Sequence, residues 1–240
     1  MTQQNFSVKI TLVLLIAVCL SCGEKSGSGN ESFATFAVDP NKTSIEFFLR
    51  DEANYFKSIE NLKRYVERNG RRLRFAMNGG MYQEDNKPLG LFIENQKTIT
   101  PLNKREAGGN FYIKPNGVFY ITTDKRAFIS KTEDFTNDGQ IKFATQSGPM
   151  LLVGGEINAE FTPNSDNIHI RNGVCVTEDN QVIFAISKRR VNFYDFARHF
   201  KDLNCVNALY LDGGVSRMYL PEQRIEQLDG DFGVIVAVTE

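Results

Sequence analysis

Only twice along this 240-residue chain does the spacing of apolar residues shift from two to between three and four. Phe56, Ile59, Leu62, Tyr65 and Val66 form the first stripe, with Lys57, Glu60, Lys63, Arg64 and Glu67 between them. That spacing puts the apolar set on one helical face and the charges in water. Gly70 follows as a stop, which predicts a helix from about Asn54 to Asn69. The second stripe is Phe193, Phe196, Ala197, Phe200 and Leu203. Asn192 before it is an N-cap type, and Asp195 complements the positive helix end. His199 lies beside that stripe and reads as an ordinary structural or surface histidine.

The remaining apolar residues come in short runs. Residues 33–38, 44–50, 73–77, 90–93, 111–113, 118–121, 143–153, 169–176, 182–186, 208–211 and 232–238 read as strands or pieces of strands. Lys114-Pro115-Asn116-Gly117 predicts a hairpin between 111–113 and 118–121, because Asn-Gly suits a tight two-residue turn. Glu178-Asp179-Asn180 predicts a second hairpin, from 169–176 into 182–186. Many strands with two helices, and no regular βαβ alternation, point to an α+β fold. The expectation is a single domain with a mixed, mostly antiparallel β-sheet core and a few flanking helices. Nineteen Phe and no Trp predict an aromatic core with no ring N–H to satisfy.

The N-terminus reads as a targeting segment. Lys9 precedes an eleven-residue apolar run, 10–20, then Ser21-Cys22-Gly23. Eleven residues are too few to span a bilayer, which takes about 20, but they suit a secretory signal. A small residue before Cys22 and a polar spacer after it resemble a bacterial lipoprotein signal, although Cys19 stands where that pattern usually has Leu. The reading is a signal peptide with lipidation at Cys22 over 1–22, a flexible tether over 23–31 and one domain over 32–240. Plain secretion is the alternative. Either places the domain in the bacterial cell envelope or outside it. An extracytoplasmic address permits a disulfide between Cys175 and Cys205, but two buried free thiols fit the sequence equally well. The near-neutral net charge of −1 gives no reason to expect a nucleic-acid partner, which would need a concentrated basic face.

The residues able to carry chemistry stand at strand ends. Ala208-Leu209-Tyr210-Leu211 runs into Asp212-Gly213-Gly214, then Ser216. Phe75-Ala76-Met77 runs into Asn78-Gly79-Gly80. The two turns are expected to face each other across one site. Ser147 with Gly148, His169 with Arg171, and Ser187 complete the set. No Gly-x-Ser-x-Gly elbow, Walker loop or Gly-x-Gly-x-x-Gly is present, which argues against those hydrolase and nucleotide-binding classes. Physically the set suits an anionic, hydroxyl-rich ligand. Arg171 offers a planar fork to a phosphate, and glycine turns offer backbone N–H groups to anionic oxygens. Asn78, Ser147 and Asp212 can hold hydroxyls. Asp212 can serve as general base, nucleophile or metal ligand.

Taken in order, Asn78-Gly79-Gly80-Met81-Tyr82, Gly109-Asn110-Phe111-Tyr112, Pro115-Asn116-Gly117-Val118-Phe119, Gln146-Ser147-Gly148-Pro149, Arg171-Asn172-Gly173 and Ala208-Leu209-Tyr210-Leu211-Asp212-Gly213-Gly214-Val215-Ser216 resemble the phosphodiester glycosidase domain. The resemblance runs from about Arg72 to Glu240. It implies hydrolysis of a glycosyl phosphodiester, with Asn78, Gly79, Ser147, Gly148, Arg171, Asp212, Gly213, Gly214 and Ser216 lining the site. Two departures mark a divergent branch: Val215 replaces a common third glycine, and only Asn172 separates Arg171 from Gly173. Three readings follow. In the first, a membrane-tethered hydrolase acts on sugar-phosphate diesters of envelope or environmental glycans. Arg171 and the glycine turns, Gly80 included, hold phosphate, and Asp212 with His169 manages protons. In the second, a lipoprotein binds glycan or phosphate polymers through the same residues without turnover. In the third, Asp212 holds a divalent cation, Ca²⁺ or Mg²⁺.

Overall fold

The computed structural model describes residues 1–2, 32–52, 54–212 and 214–240. The expected signal peptide, lipidation site at Cys22 and tether therefore lie outside the described residues, apart from residues 1–2, as does Gly213. Among the described residues no helix is long and apolar enough to cross a membrane.

Three antiparallel sheets share one core. The six-stranded sheet is ordered Phe33–Val38, Val182–Ser187, Asn172–Val176, Asn207–Tyr210, Met150–Val153, Glu156–Ile157. One five-stranded sheet is built around Ile141–Ser147, which lies between Phe92–Glu94 and Gly117–Thr122. The other is built around Leu73–Asn78, which pairs with Met218–Leu220 and Ile235–Thr239. Alternation explains which sides meet: Phe33–Val38 buries every second residue, Ala34, Phe36 and Val38. The inward phenylalanines join the sheets. Phe36 stacks on Phe75 at 4.4 Å, Phe75 meets Phe184 at 4.9 Å, and Phe119 meets both Phe184 and Phe47. The expected aromatic core is thus the seam between sheets.

Two helices cover outer faces. α1, Ile59–Arg68, buries Ile59, Leu62 and Val66 against Leu73, Ala76 and Ala237. α2, Phe193–Asp202, buries Phe196 and Phe200 against Leu151, Ala185 and Ala208. Asn192 caps α2 by accepting the Asp195 N–H at 2.8 Å, as the sequence predicts. α1 starts later than predicted. Ser58 accepts the Asn61 N–H, and Lys57 sits at φ 61°. The chain therefore turns after Phe56, and Asn54–Tyr55 pairs with Arg50–Asp51 instead. His199 is buried and stacks on Phe33 at 4.0 Å, and burial pushes its pKa down to about 4.

One predicted hairpin forms and the other does not. Asn172–Val176 and Val182–Ser187 pair across the 177–181 turn as expected. Asn110–Tyr112, by contrast, is a single 3₁₀ turn rather than a strand. Asn116 is buried and its Nδ2 donates to the Phe111 carbonyl at 2.9 Å, so it ties that turn down instead of forming a tight reversal. Cys175 and Cys205 form a disulfide, which joins the middle of the six-stranded sheet to the segment after α2.

Candidate functional site

Strand pairing decides where the polar residues meet. Asn172–Val176 runs antiparallel to Asn207–Tyr210, with Gly173 opposite Tyr210. The start of one strand therefore adjoins the end of the other. Gly173 is required there, since a Cβ would sit 2.8 Å from the Leu209 carbonyl and against Phe196 and Phe200. Further along, the chain joins the sheet built around Leu73–Asn78, where Met218 pairs with Met77 next to Asn78. The two predicted turns are thereby brought into direct contact.

Asn172 is the hub of that contact. Its Nδ2 donates to Asn78 O at 2.9 Å and to Asn78 Oδ1 at 3.0 Å. Its Oδ1 accepts the Asp212 N–H at 3.0 Å and the Ser216 hydroxyl at 3.3 Å. Asn78 completes the ring: its Nδ2 donates to Asp212 O at 3.0 Å, and its Oδ1 accepts the Arg217 N–H at 2.9 Å. Ser216 also donates to Asp212 O, at 3.1 Å, and Ser147 donates to Leu211 O. Asn78, Asn172, Ser147 and Ser216 are all buried. Their hydrogen-bonding capacity goes into holding the Leu211–Asp212 backbone, since a buried polar group left unpaired costs about 1–3 kcal/mol. The sequence singled out Asn78, Ser147 and Ser216 as ligand contacts. The structure spends those groups on the platform, whereas the Asp212 side chain takes no part in it and accepts only the Gly214 N–H among the described residues.

The Asp212 carboxyl is half-buried and has no cationic partner among the described residues. Its Oδ1 accepts the Gly214 N–H at 3.0 Å. Burial raises its pKa from 3.8 to about 6, because a carboxylate deprived of water loses solvation that one N–H does not replace. Tyr82 belongs to the same neighbourhood and was missed as a site residue, although it closes the Asn78-Gly79-Gly80-Met81-Tyr82 motif. Its hydroxyl donates to Asp231 O. Burial first, and then the charges of Asp212 and Asp231, push its pKa up to about 12.

Other predicted residues serve different ends. Arg171 is fully buried and is not an open fork. Its Nε donates to Val191 O at 2.9 Å and its Nη2 to Asn167 O at 2.7 Å, while its Cζ lies 3.6 Å above the Phe193 ring. Burial lowers its pKa, with Tyr210 opposing the shift. Ser187 accepts the Arg171 N–H at 2.9 Å and is likewise buried. His169 is exposed two residues before Arg171, with its backbone bridged to Val191. The glycines mostly answer to space. A Cβ on Gly80 would stand 2.4 Å from Gln146 O, and one on Gly148 2.6 Å from Phe111 O. The Gly79 N–H is taken by Val234 O and the Gly214 N–H by Asp212. The expected open N–H groups at these two glycines are thus already used. Among the described residues no three His, Cys, Asp or Glu side chains gather to hold a metal. Divalent cations such as Ca²⁺ take six to eight oxygen ligands. The donor set around Asp212 does not fit a dedicated cage of that kind.

The protein YigE of Escherichia coli K12 is 44% identical over 149 residues, which cover 62% of this chain and 58% of YigE. The chain thus spans less than two thirds of that relative. The zebrafish N-acetylglucosamine-1-phosphodiester alpha-N-acetylglucosaminidase catalytic domain, solved in a form auto-inhibited by its pro-peptide, superposes with a TM-score of 0.60 at 16% identity. That match covers 88% of this chain and 84% of that one. A hypothetical protein from Synechocystis gives 0.54 at 14% identity, covering 86% and 59%. At such identities these two establish a shared fold. The family model for phosphodiester glycosidase matches residues 71–233, a span that contains Asn78, Asn172 and Asp212. The chain belongs to the phosphodiester glycosidase family.

Proposed function

We propose that this chain hydrolyses a glycosyl phosphodiester, a sugar-1-phosphate diester of envelope or environmental glycans, with Asp212 as general base. The observation that carries the reading is a half-buried carboxyl on a hydrogen-bonded platform, without a counter-charge among the described residues. That placement is costly for folding, and it makes the carboxylate a stronger base than one in water. In the reaction, water attacks the anomeric carbon and gives its proton to the Asp212 carboxylate. The bond from that carbon to the bridging oxygen breaks, and its electron pair leaves with the phosphate monoester. Asp212 then returns its proton to solvent. Asn172, Asn78 and Ser216 act as positioning residues: they fix the Asp212 backbone so that the carboxyl does not have to be ordered in each turnover.

The zebrafish relative, an N-acetylglucosamine-1-phosphodiester alpha-N-acetylglucosaminidase, supports the substrate class. The N-terminal apolar run with Cys22 and the Cys175–Cys205 disulfide support a lipid-anchored or secreted domain outside the cytoplasm. The test is release of sugar from a panel of synthetic sugar-1-phosphodiesters. Wild type should turn over at least one, and Asp212→Asn should lose 10²–10⁴-fold in kcat. Saturable binding without turnover, unchanged in Asp212→Asn, would instead identify a glycan-binding lipoprotein.

A further inference from the structure

Strand Val182–Ser187 ends at the same end of the six-stranded sheet that presents Asn172 and Asp212. Lys188, Arg189 and Arg190 follow it, all exposed. Among the described residues none of the three makes an ion pair, whereas nearby Arg198 on α2 is paired with Asp195 at 3.2 Å. The segment is firmly held. His169 and Val191 exchange backbone hydrogen bonds of 3.1 and 2.9 Å, and the buried Arg171 guanidinium bonds both Val191 O and Asn167 O. That clamp also fixes the neighbouring 166–169 loop, whose Ile168 is 43% exposed. Apart from Met1 it is the one large apolar side chain standing in solvent among the described residues. Asp166 is the single acid in that loop, so the face stays net positive.

The chain's own path supplies the partner. The Lys188 N–H donates to Ser32 O at 2.8 Å. On the reading that Cys22 carries lipid, nine residues, 23–31, separate the anchor from Ser32. Fully extended they reach about 30 Å, so Ser32 and the basic run bonded to it are kept close to the bilayer.

We propose that Lys188, Arg189 and Arg190, with Ile168, form the face on which the domain rests against an anionic bilayer surface. Unpaired cations meet the negative headgroups and the bare isoleucine enters the headgroup boundary. A soluble phosphate polymer has use for the cations but none for the isoleucine. Because this sheet end also carries Asp212, docking sets the site beside the membrane surface.

The test uses the full chain, in lipidated form and as Cys22→Ser, titrated with phosphatidylglycerol-containing and with pure phosphatidylcholine vesicles. Each basic residue at an anionic surface is worth about fivefold in binding, so the run accounts for about a hundredfold preference at low salt. That preference should be present in both forms and should fall as salt is raised. It should be lost in the triple variant Lys188→Gln/Arg189→Gln/Arg190→Gln and reduced in Ile168→Ser, with turnover of small soluble diesters unchanged. A neutral-vesicle signal confined to the lipidated form reports the anchor alone, which separates failure of the anchor reading from failure of the face. An anionic preference within twofold of wild type in the triple variant overturns the proposal. So does a preference of the wild type for soluble phosphodiester polymer with no discrimination between vesicles.

Discussion

Replacing Asp212 with Asn should cut kcat by about 10²–10⁴-fold and at the same time stabilise the fold. The rise of the Asp212 pKa from 3.8 to about 6 corresponds, at ~1.4 kcal/mol per pH unit, to about 3 kcal/mol of unfavourable ionisation in the folded state. Part of the carboxyl still meets solvent, so we discount this to about 1–2 kcal/mol. Asn is nearly isosteric and keeps an oxygen to accept the Gly214 N–H. The sign follows from proton linkage. Between about pH 4 and 6 the folded wild type binds the Asp212 proton and the unfolded chain does not, so wild-type stability falls as pH rises through that window. Above pH 6 the loss is complete, and below pH 4 both states are protonated. Asp212→Asn should therefore match wild type near pH 3.5 and exceed it by about 1–2 kcal/mol at pH 7.5, or roughly 2–8 °C in Tm. Urea unfolding at both pH values, with sugar release measured on the same samples, is the assay. A variant less stable than wild type at pH 7.5 would overturn the raised Asp212 pKa, and one keeping near-wild-type turnover would overturn its role as base.

Because the base must be ionised, kcat/KM on any accepted diester should fall on the acid side with an apparent pKa near 6, the value burial gives Asp212; a pH–rate profile from 4 to 9 checks it. Asn172→Ala removes four hydrogen bonds from a buried hub and leaves both Asn78 and the Asp212 N–H short of partners; we expect a loss of about 2–4 kcal/mol by urea unfolding. Gly80→Ala places a methyl against Gln146 O and Thr145 Oγ1 and should cost about 1–3 kcal/mol, read as a lowered Tm. Removing the Cys175–Cys205 bond, which closes a 30-residue separation, by a double Ser substitution should cost about 3–4 kcal/mol, measured against wild type with and without reductant.

Much of the architecture is legible because burial follows local spacing. The stripe from Phe193 to Leu203 and the cap at Asn192 yield α2 directly. The run 208–211 ending in Asp-Gly-Gly marks a strand end that must turn. What escapes local reading depends on partners distant in sequence. Asn116-Gly117 carries a strong turn signal, yet Asn116 is drawn inward to bond Phe111 O, and Gly117 opens a strand where a Cβ would meet Ser130 O. Phe56 fits the α1 stripe but lies before the cap, because its own N–H bonds Leu49 O. At the site, residue types were legible and their duties were not. Arg171 looks like an anion fork until Phe193 is seen beneath it, 22 positions later in the chain. Asn172 drew notice only as a spacer between Arg171 and Gly173. Its place at the start of a strand beside the turn Asn78-Gly79-Gly80 becomes evident once pairing sets Gly173 opposite Tyr210.

In the proposed reaction water attacks the anomeric carbon of a sugar phosphodiester under Asp212 base catalysis. Hydrolysis of a sugar-1-phosphodiester in ¹⁸O-labelled water, followed by ³¹P nuclear magnetic resonance, tests it most directly. The expected product is a phosphate monoester without the isotope shift, the label residing in the sugar, with release cut about 10²–10⁴-fold in Asp212→Asn. A shifted phosphate signal, which reports attack at phosphorus, or undiminished release by Asp212→Asn would contradict it.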